Sequence, residues 1–200
     1  MVNLQDIKHW VFDMDGTLTN AVHDFPAIRK TLGMAETDDI LEYLAALPVD
    51  ERIKKNAWLM EHERVLAETA TPSEGAVELL EYLISQHMKL AILTRNNREL
   101  AFITLKAIGL EKHFSKEFIL GRDEAKPKPS ADGLLKIATS WQVTTNHMIM
   151  VGDFRHDLAC GKKAGARTIL VNYPENAWPE LVDWYYPSCQ HLLNDLKIQK

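Results

Sequence analysis

The chain is poor in cysteine, in clustered histidine and in basic charge. Only two of its 200 residues are cysteine, and neither Cys160 nor Cys189 lies in a CxxC pair or a Cys/His cluster. This argues against a disulfide scaffold and predicts two reduced thiols in a cytoplasmic protein. The eight histidines show no HxxxH spacing, so a zinc site is not expected.

Charge and hydropathy exclude two further classes of protein. The formal net charge is −5, whereas proteins that bind nucleic acid or anionic membranes usually carry a basic excess. No apolar run approaches the length of a membrane span, so neither nucleic acid nor membrane is an expected partner. With 46% hydrophobic and 26% charged residues, the composition is that of a globular chain with one good core and room for a small accessory unit.

Short apolar runs alternate with helical patterns along most of the chain. We predict strands at 10–12, 90–93, 118–120, 148–151 and 168–171, and helices at 25–32, 37–47, 50–69, 77–84, 100–107, 132–141 and 157–164. The order predicts an α/β fold with a Rossmann-like, doubly wound parallel sheet formed by residues 1–19 and 73–200. Residues 20–72 contain helical patterns only and are predicted to be an inserted α-helical cap domain. The aromatic tail should pack on the sheet edge; its residues are Trp178, Trp184, Tyr185 and Tyr186.

The first predicted strand ends in Asp13-Met14-Asp15-Gly16-Thr17. Side chains alternate along a strand, so Asp13 and Asp15 project to the same side and can share one ligand. Two crowded carboxylates repel each other, which predicts a divalent cation, a raised carboxyl pKa, or both. A solvated acidic turn is the alternative interpretation of this segment alone.

The next strand, 90–93, ends in Thr94-Arg95-Asn96-Asn97. Ligands of such folds bind beyond the carboxyl ends of the strands, and a hydroxyl followed by helix-start amides can bind an anion. Thr94, Arg95 and Asn96 are therefore candidate substrate-binding residues. The alternative is an ordinary helix cap, with Asn96 and Glu99 as a capping box.

Two later segments carry matching chemistry. Prolines hold Lys126 and Lys128 in an extended loop, as a candidate phosphate site or as a solvated basic loop. The strand 148–151 leads to Asp153 and Asp157, whose spacing can bring both carboxylates to one metal ion. The alternative is that Asp157 caps a helix and Asp153 lies in a turn.

With these four strand-end motifs in this order, the chain resembles the haloacid dehalogenase superfamily of hydrolases, in the phosphoglycolate phosphatase-like and β-phosphoglucomutase-like branch. The resemblance covers nearly the whole chain. It implies that Asp13 is the nucleophile, Asp15 the general acid/base, Thr94 the phosphate-binding hydroxyl, and Asp153 with Asp157 the acidic pair around Mg²⁺. The distance to the following helix favours Lys128 over Lys126 as the family lysine, with Ala131 in place of a second proline.

The resemblance predicts a phosphatase that acts on a small-molecule phosphate ester. Mg²⁺ would take oxygen ligands from Asp13, Asp153 and the backbone carbonyl of Asp15. The cap entrance at Asn20 and Ala21 departs from the family pattern, which leaves the substrate open between phosphoglycolate and sugar phosphates. Cap side chains that could reach inward are His23, Arg29, Lys54, Lys55 and Trp58.

Other functions remain as alternatives at this point. A sugar-phosphate mutase would use the same core residues, and an α/β domain could bind Mg²⁺ without turnover. A P-loop is disfavoured because Gly161-Lys162-Lys163 lacks both the upstream glycine and the hydroxyl residue of that motif. The sequence does not indicate an oligomeric state.

Overall fold

The structure, a computed structural model, describes residues 4–198. Six strands and eight α-helices lie within this range. The strands are β1 His9–Phe12, β2 Lys89–Leu93, β3 Ile119–Leu120, β4 Met148–Gly152, β5 Arg167–Leu170 and β6 Trp184–Tyr185. The helices are α1 Phe25–Leu32, α2 Ile40–Ala46, α3 Val49–Glu68, α4 Ala76–Ser85, α5 Arg98–Ala107, α6 Asp132–Trp141, α7 Arg155–Ala164 and α8 Cys189–Ile198.

All six strands are parallel and form one sheet in the order β3-β2-β1-β4-β5-β6. Helices cover both faces, since Trp10 and Phe12 of β1 pack in one buried cluster and Val11 packs in a second. Alternation along the strand sends neighbouring side chains to opposite faces. The predicted doubly wound parallel sheet is therefore confirmed.

The register aligns the carboxyl ends of the three central strands. Phe12, the last residue of β1, lies opposite Ile92 of β2 and Val151 of β4. The residues that follow these strands therefore leave the sheet side by side, at the edge where ligands bind in open α/β folds.

Helices α1, α2 and α3 form a unit with its own small core of Ile28, Leu32, Leu44 and Leu59. Helix α1 has the predicted bounds because Asp24 accepts a hydrogen bond from the Ala27 amide and Gly33 ends it at a φ of 68°. We call α1–α3 the three-helix unit.

Two chain segments link the three-helix unit to the sheet, and hydrogen bonds of Asn20 connect these segments to each other. Its side-chain amide donates to the Thr71 hydroxyl at 2.9 Å and to the Pro72 carbonyl at 3.1 Å. Thr19 also forms a bridge with Pro72. Asn20, where the sequence departs from the family pattern, therefore connects the segment that enters the three-helix unit to the segment that leaves it.

Three predicted helix starts were wrong. Helix α2 begins at Ile40 and not at Thr37, because the Asp39 carboxylate caps the amides of Leu41 and Glu42. Helix α5 begins at Arg98, two positions before the predicted start, and its N-cap is Asn97 rather than Asn96, the cap of the alternative interpretation. Helix α7 begins at Arg155, before the predicted Asp157.

The end of the chain adds β6 and α8, which periodicity did not reveal. The predicted packing of the aromatic tail on the sheet edge is confirmed for Trp184 and Tyr185, which pair with β5, whereas Trp178 packs on Tyr173 and Phe154. Both cysteines are free, as expected, and both are buried. No helix among residues 4–198 has the length and apolarity needed to cross a membrane.

Candidate active site

Asp13 and Asp15 leave the carboxyl end of β1 at the centre of the sheet. The Asp13 amide continues the ladder by donating to the Val151 carbonyl at 2.9 Å. Gly16 then turns the chain at a φ of +85°, and a Cβ built there would lie 2.4 Å from Oδ2 of Asp153. A side chain at position 16 would therefore strain the backbone and displace a carboxylate of the site.

Lys128 is the basic residue that the fold brings to these carboxylates. Its Nζ lies 2.7 Å from Oδ1 of Asp13 and 2.6 Å from Oδ1 of Asp157, and its side chain is 1% exposed. Lys126 has an exposed side chain, and its backbone amide donates to Asp132. Of the two candidate lysines, Lys128 is therefore the one at the site.

Three carboxylates gather around one point beside Lys128. Ligand oxygens of Asp13, Asp153 and Asp157 all lie within 4.8 Å of one another. Asp153 is held by the Thr17 hydroxyl, which donates to its Oδ1 at 2.7 Å, and Oδ2 of Asp157 accepts from the Phe154 amide at 3.1 Å. The Asp15 carboxylate is not part of this cluster, and a metal contact through its backbone carbonyl stays a prediction.

Burial and mutual repulsion raise the pKa of two carboxyl groups of this cluster, Asp13 and Asp153. At Asp13 burial is the largest cause, and together with the charge of Asp157 it raises the pKa to about 6 against the opposing effect of Lys128. At Asp153 burial and the neighbouring Asp157 and Asp13 raise the pKa to about 8. Because their pKa values are raised, these carboxyl groups bind protons that a divalent cation would displace. Their donor atoms are all oxygen, which is the donor set that suits Mg²⁺.

Asp15 lies beside the cluster in a different environment. Burial raises its pKa most, while the nearby His23 acts in the opposite direction. A hydrogen bond with the Asn96 side chain also favours its charged form. Asp15 therefore has a raised pKa and a fixed polar partner, which are properties of a proton-transfer group.

The segment after β2 forms the next wall of the site. The Thr94 hydroxyl accepts a hydrogen bond from the Asn96 amide at 3.0 Å and is 2% exposed. Arg95 donates to the Lys128 carbonyl at 2.6 Å and also pairs with Asp39 of the three-helix unit. The sheet thus brings the predicted residues Thr94, Arg95 and Asn96 to the same place as Asp13 and Asp15.

A cavity of about 280 Å³ lies between this edge of the sheet and the three-helix unit. His23 and Arg29 line it, as does His156. Two other candidates have different partners: Lys55 donates to the Leu32 carbonyl, and Trp58 stacks on His62. Lys54 is exposed and does not line the cavity.

Sequence reasoning missed five polar or aromatic residues of the cavity wall. They are Phe25, Asp39, Glu63, Arg122 and Phe154. Asp39 lies inside the second predicted helix, and Arg122 lies two positions after the third predicted strand, which was the available signal. Nothing local distinguished Glu63 from the other charged residues of α3.

A parallel sheet whose strand ends carry clustered carboxylates, a buried lysine and a threonine hydroxyl defines a hydrolase-type α/β domain with a helical accessory unit. Comparison with known proteins gives its family: residues 26–171 match the profile of haloacid dehalogenase-like hydrolases. A haloacid dehalogenase-like hydrolase domain-containing protein from Arabidopsis thaliana is 36% identical over 177 residues, covering 81% of this chain and 69% of the relative. The chain belongs to the haloacid dehalogenase-like hydrolase family.

Two further similarities agree with this placement. A phosphoglycolate phosphatase from Chromobacterium violaceum is 28% identical over 197 residues, covering 86% of this chain and 88% of that protein. The crystal structure of a hydrolase from Pseudomonas syringae superposes with a TM-score of 0.79 at 23% identity, covering 96% of this chain and 98% of that one. The family profile and the named relatives confirm the family identified from the motifs and the prediction of an enzyme of hydrolase type. The superposition agrees in fold.

Proposed function

We propose that this chain is a Mg²⁺-dependent phosphatase that hydrolyses a small phosphorylated metabolite, of the phosphoglycolate or sugar phosphate type, through an aspartyl-phosphate. The observation that carries the proposal is the position of Lys128 Nζ, 2.7 Å from Asp13 and 2.6 Å from Asp157, beside the cavity wall formed by Thr94 and Asp153. A phosphate ester resists attack because nucleophile and phosphoryl oxygens are all negative, so a site must supply cations and donors together. The named phosphatase among the relatives supports this choice.

In this proposal the three-helix unit is part of a cap, residues 20–72, over a core formed by residues 1–19 and 73–200. Residues 1–3 and 199–200 of that core lie outside the described range. The cavity between the two parts would hold the alcohol portion of the ester. Thr94, Arg95, Asn96 and Lys128 would bind the phosphoryl group at the cavity's base.

The residues that would hold the metal ion are Asp13, Asp153 and Asp157, with the backbone carbonyl of Asp15. Bound there, Mg²⁺ would neutralise the charge that otherwise crowds these carboxylates and the phosphoryl oxygens. The raised pKa values of Asp13 and Asp153 in its absence fit that requirement, because both are caused by burial and by like charge.

Asp13 is the proposed nucleophile. Lys128 opposes the rise in its pKa and so favours the ionised form that can attack phosphorus. One carboxylate oxygen forms the new O–P bond while the bond from phosphorus to the alcohol oxygen breaks. Asp15 gives its proton to the leaving alkoxide, and the alcohol departs.

Asp15 then acts in the reverse direction. Its carboxylate accepts a proton from water as the water oxygen attacks the phosphorus of the aspartyl-phosphate, which releases inorganic phosphate and restores Asp13. The hydrogen bond with Asn96 would orient Asp15 for both transfers.

The test is phosphate release from a panel of metabolites and from p-nitrophenyl phosphate, with Mg²⁺ and with excess EDTA. We expect turnover with Mg²⁺, its loss in EDTA, and its recovery when Mg²⁺ is restored. The Asp13→Asn variant should fold normally by circular dichroism and lose activity by orders of magnitude. Full turnover in EDTA would disprove the metal requirement, and a tenth of the normal rate in Asp13→Asn would remove Asp13 as nucleophile.

A further inference from the structure

The cavity contains a charged pair that the proposed phosphoryl chemistry does not use. Glu63 of α3 and Arg122, which follows β3, face each other with both carboxylate oxygens engaged: Nη1 lies 3.1 Å from Oε1 and Nη2 lies 3.0 Å from Oε2. The two side chains are 11% and 12% exposed. This is a two-pronged, nearly buried ion pair between the three-helix unit and the sheet.

The pair lies on the alcohol side of the site. Both residues line the same cavity as Asp15, and the charges of His23 and Asp15 both act on the Glu63 carboxyl group. Burial raises the pKa of Glu63 more than Arg122 lowers it, which marks its surroundings as poorly hydrated. The alcohol that leaves with the proton from Asp15 would therefore enter the poorly hydrated surroundings of Glu63.

The other arginines of the cavity also have partners. Arg95 pairs with the Asp39 carboxylate. Arg29 donates from Nε to the Asp38 carbonyl at 3.1 Å, and its guanidinium lies 5.9 Å from the centre of the Phe25 ring. Among the described residues, two of the three arginines that line the cavity are therefore paired with carboxylates.

His23 and His156 also line the cavity, and the remaining wall is apolar. Its side chains are Phe25, Ile28, Ile40, Leu41, Leu59 and Phe154. An anionic group placed beside the Glu63–Arg122 pair would lose hydration, would find Arg122 already engaged, and would meet the negative charge of Glu63. A hydroxyl group, in contrast, can donate to a free lone pair of Glu63 or accept from a remaining N–H of Arg122.

We infer that the substrate is the monophosphate of an uncharged, hydroxyl-bearing alcohol, a sugar or polyol phosphate, and that the Glu63–Arg122 pair selects it over phosphates that carry a carboxylate. This inference rests on the proposed phosphatase function. It separates the two substrate types that the family resemblance leaves open, and it assigns Glu63 and Arg122 as residues that determine specificity.

Matched substrates test the selection directly. Glycerol 3-phosphate and 3-phosphoglycerate differ only in a CH₂OH group against a carboxylate, as do 2-hydroxyethyl phosphate and phosphoglycolate. We expect kcat/KM to favour the alcohol member of each pair by about tenfold or more, the size of one unfavourable charge contact in a partly buried site. Equal values, or preference for the carboxylates, would overturn the inference while p-nitrophenyl phosphate turnover still supported the phosphatase.

The Glu63→Gln variant tests the assigned residues, since it leaves the positive charge of Arg122 uncompensated. We expect the preference to move toward the carboxylate substrates by about tenfold, mainly through KM. Glu99→Gln is the matched control: it removes the Arg64–Glu99 ion pair, which also joins the three-helix unit to the core but does not line the cavity. Its preference should equal that of the wild type.

Thermal unfolding checks that both variants fold. If Glu63→Gln does not fold, the comparison of matched substrates with the wild-type protein still decides the substrate class. An equal loss on both members of each pair in Glu63→Gln would make Glu63 a structural residue and overturn its assignment. If no ester at all were hydrolysed, p-nitrophenyl phosphate included, the proposed function would fail and the inference with it.

Discussion

The Thr17 hydroxyl donates a hydrogen bond of 2.7 Å to Oδ1 of Asp153, across 136 positions of the sequence. Thr17 belongs to the turn after β1, and Asp153 follows β4. The bond fixes one carboxylate of the acidic cluster and opposes the rise of its pKa, which burial and the neighbouring aspartates cause. Thr17 therefore supports the proposed metal site without contributing a carboxylate.

The Thr17→Val variant should bind Mg²⁺ more weakly. Valine keeps the shape of the side chain but cannot donate, and the loss of a partner that orients a metal ligand typically weakens affinity by about 10- to 100-fold. Thermal shift against Mg²⁺ concentration measures the change without relying on turnover. The Thr104→Val variant is the control, because Thr104 is buried in α5, far along the chain from the cluster. Equal Mg²⁺ midpoints in wild type and Thr17→Val would contradict the supporting role.

The Asp15→Asn variant should lose activity in proportion to how much the leaving group needs a proton. General acid catalysis is worth about 10²- to 10⁴-fold, so alkyl phosphates should slow by an amount in or near that range and aryl phosphates by much less. Steady-state rates on both ester classes measure this difference. If dephosphorylation limits turnover instead, a rapid-quench experiment should trap aspartyl-phosphate. An equal, small loss on both classes with no trapped intermediate would exclude Asp15 from proton transfer.

Lys128→Gln and Lys126→Gln should behave very differently. Lys128 is buried against two carboxylates, so its replacement leaves both without a cation and should cost about 3–5 kcal/mol of stability together with most of the activity. Lys126 is exposed, and its replacement should stay within about 0.5 kcal/mol of wild type. Chemical denaturation and phosphate release measure both effects. Retained activity in Lys128→Gln with loss in Lys126→Gln would reverse the choice of lysine.

The contact between Asp39 and Arg95 should give a pH-dependent contribution to stability. Burial alone would raise the pKa of Asp39, but Arg95 and the capped amides of α2 lower it below the usual value of 3.8. A carboxyl with a lowered folded-state pKa stabilises the protein above its unfolded pKa, and this contribution is lost as pH falls through the folded value.

Asp39→Asn separates the ion pair from the helix cap, because asparagine caps helices about as well as aspartate. We expect a loss of about 1 kcal/mol at pH 7, discounted for the partial exposure of both side chains, and a smaller difference below about pH 4. Asp24→Asn is the control, since Asp24 caps α1 through the Ala27 amide on an exposed surface. Urea denaturation at pH 7 and near pH 3 provides the comparison. A destabilisation that grows on acidification would show that the sign is wrong.

Local sequence patterns predicted much of this fold. Helices α1 and α6 have the predicted bounds, and the predicted strands overlap β1 to β5, because apolar periodicity and capping residues act within a few positions. Periodicity did not reveal β6, which is two residues long, or α8, and three helix starts were misplaced by two or three positions. Neighbouring polar residues such as Asn96 and Asn97 compete for the same cap, and sequence alone does not choose between them.

The sequence by itself determined the acid pair after β1, the threonine after β2, and the acidic pair after β4, because parallel strands place their carboxyl ends at one edge of a sheet. The distance to the following helix favoured Lys128 over Lys126, but only the tertiary structure showed that Lys128 reaches Asp13, since both candidates lie in the same proline-rich loop. It alone joined Glu63 to Arg122, which are 59 positions apart on different parts of the molecule. Periodicity indicates which face of a helix or strand is buried. A contact between side chains far apart in the sequence depends instead on how whole elements pack against one another, and no local sequence pattern specifies that packing.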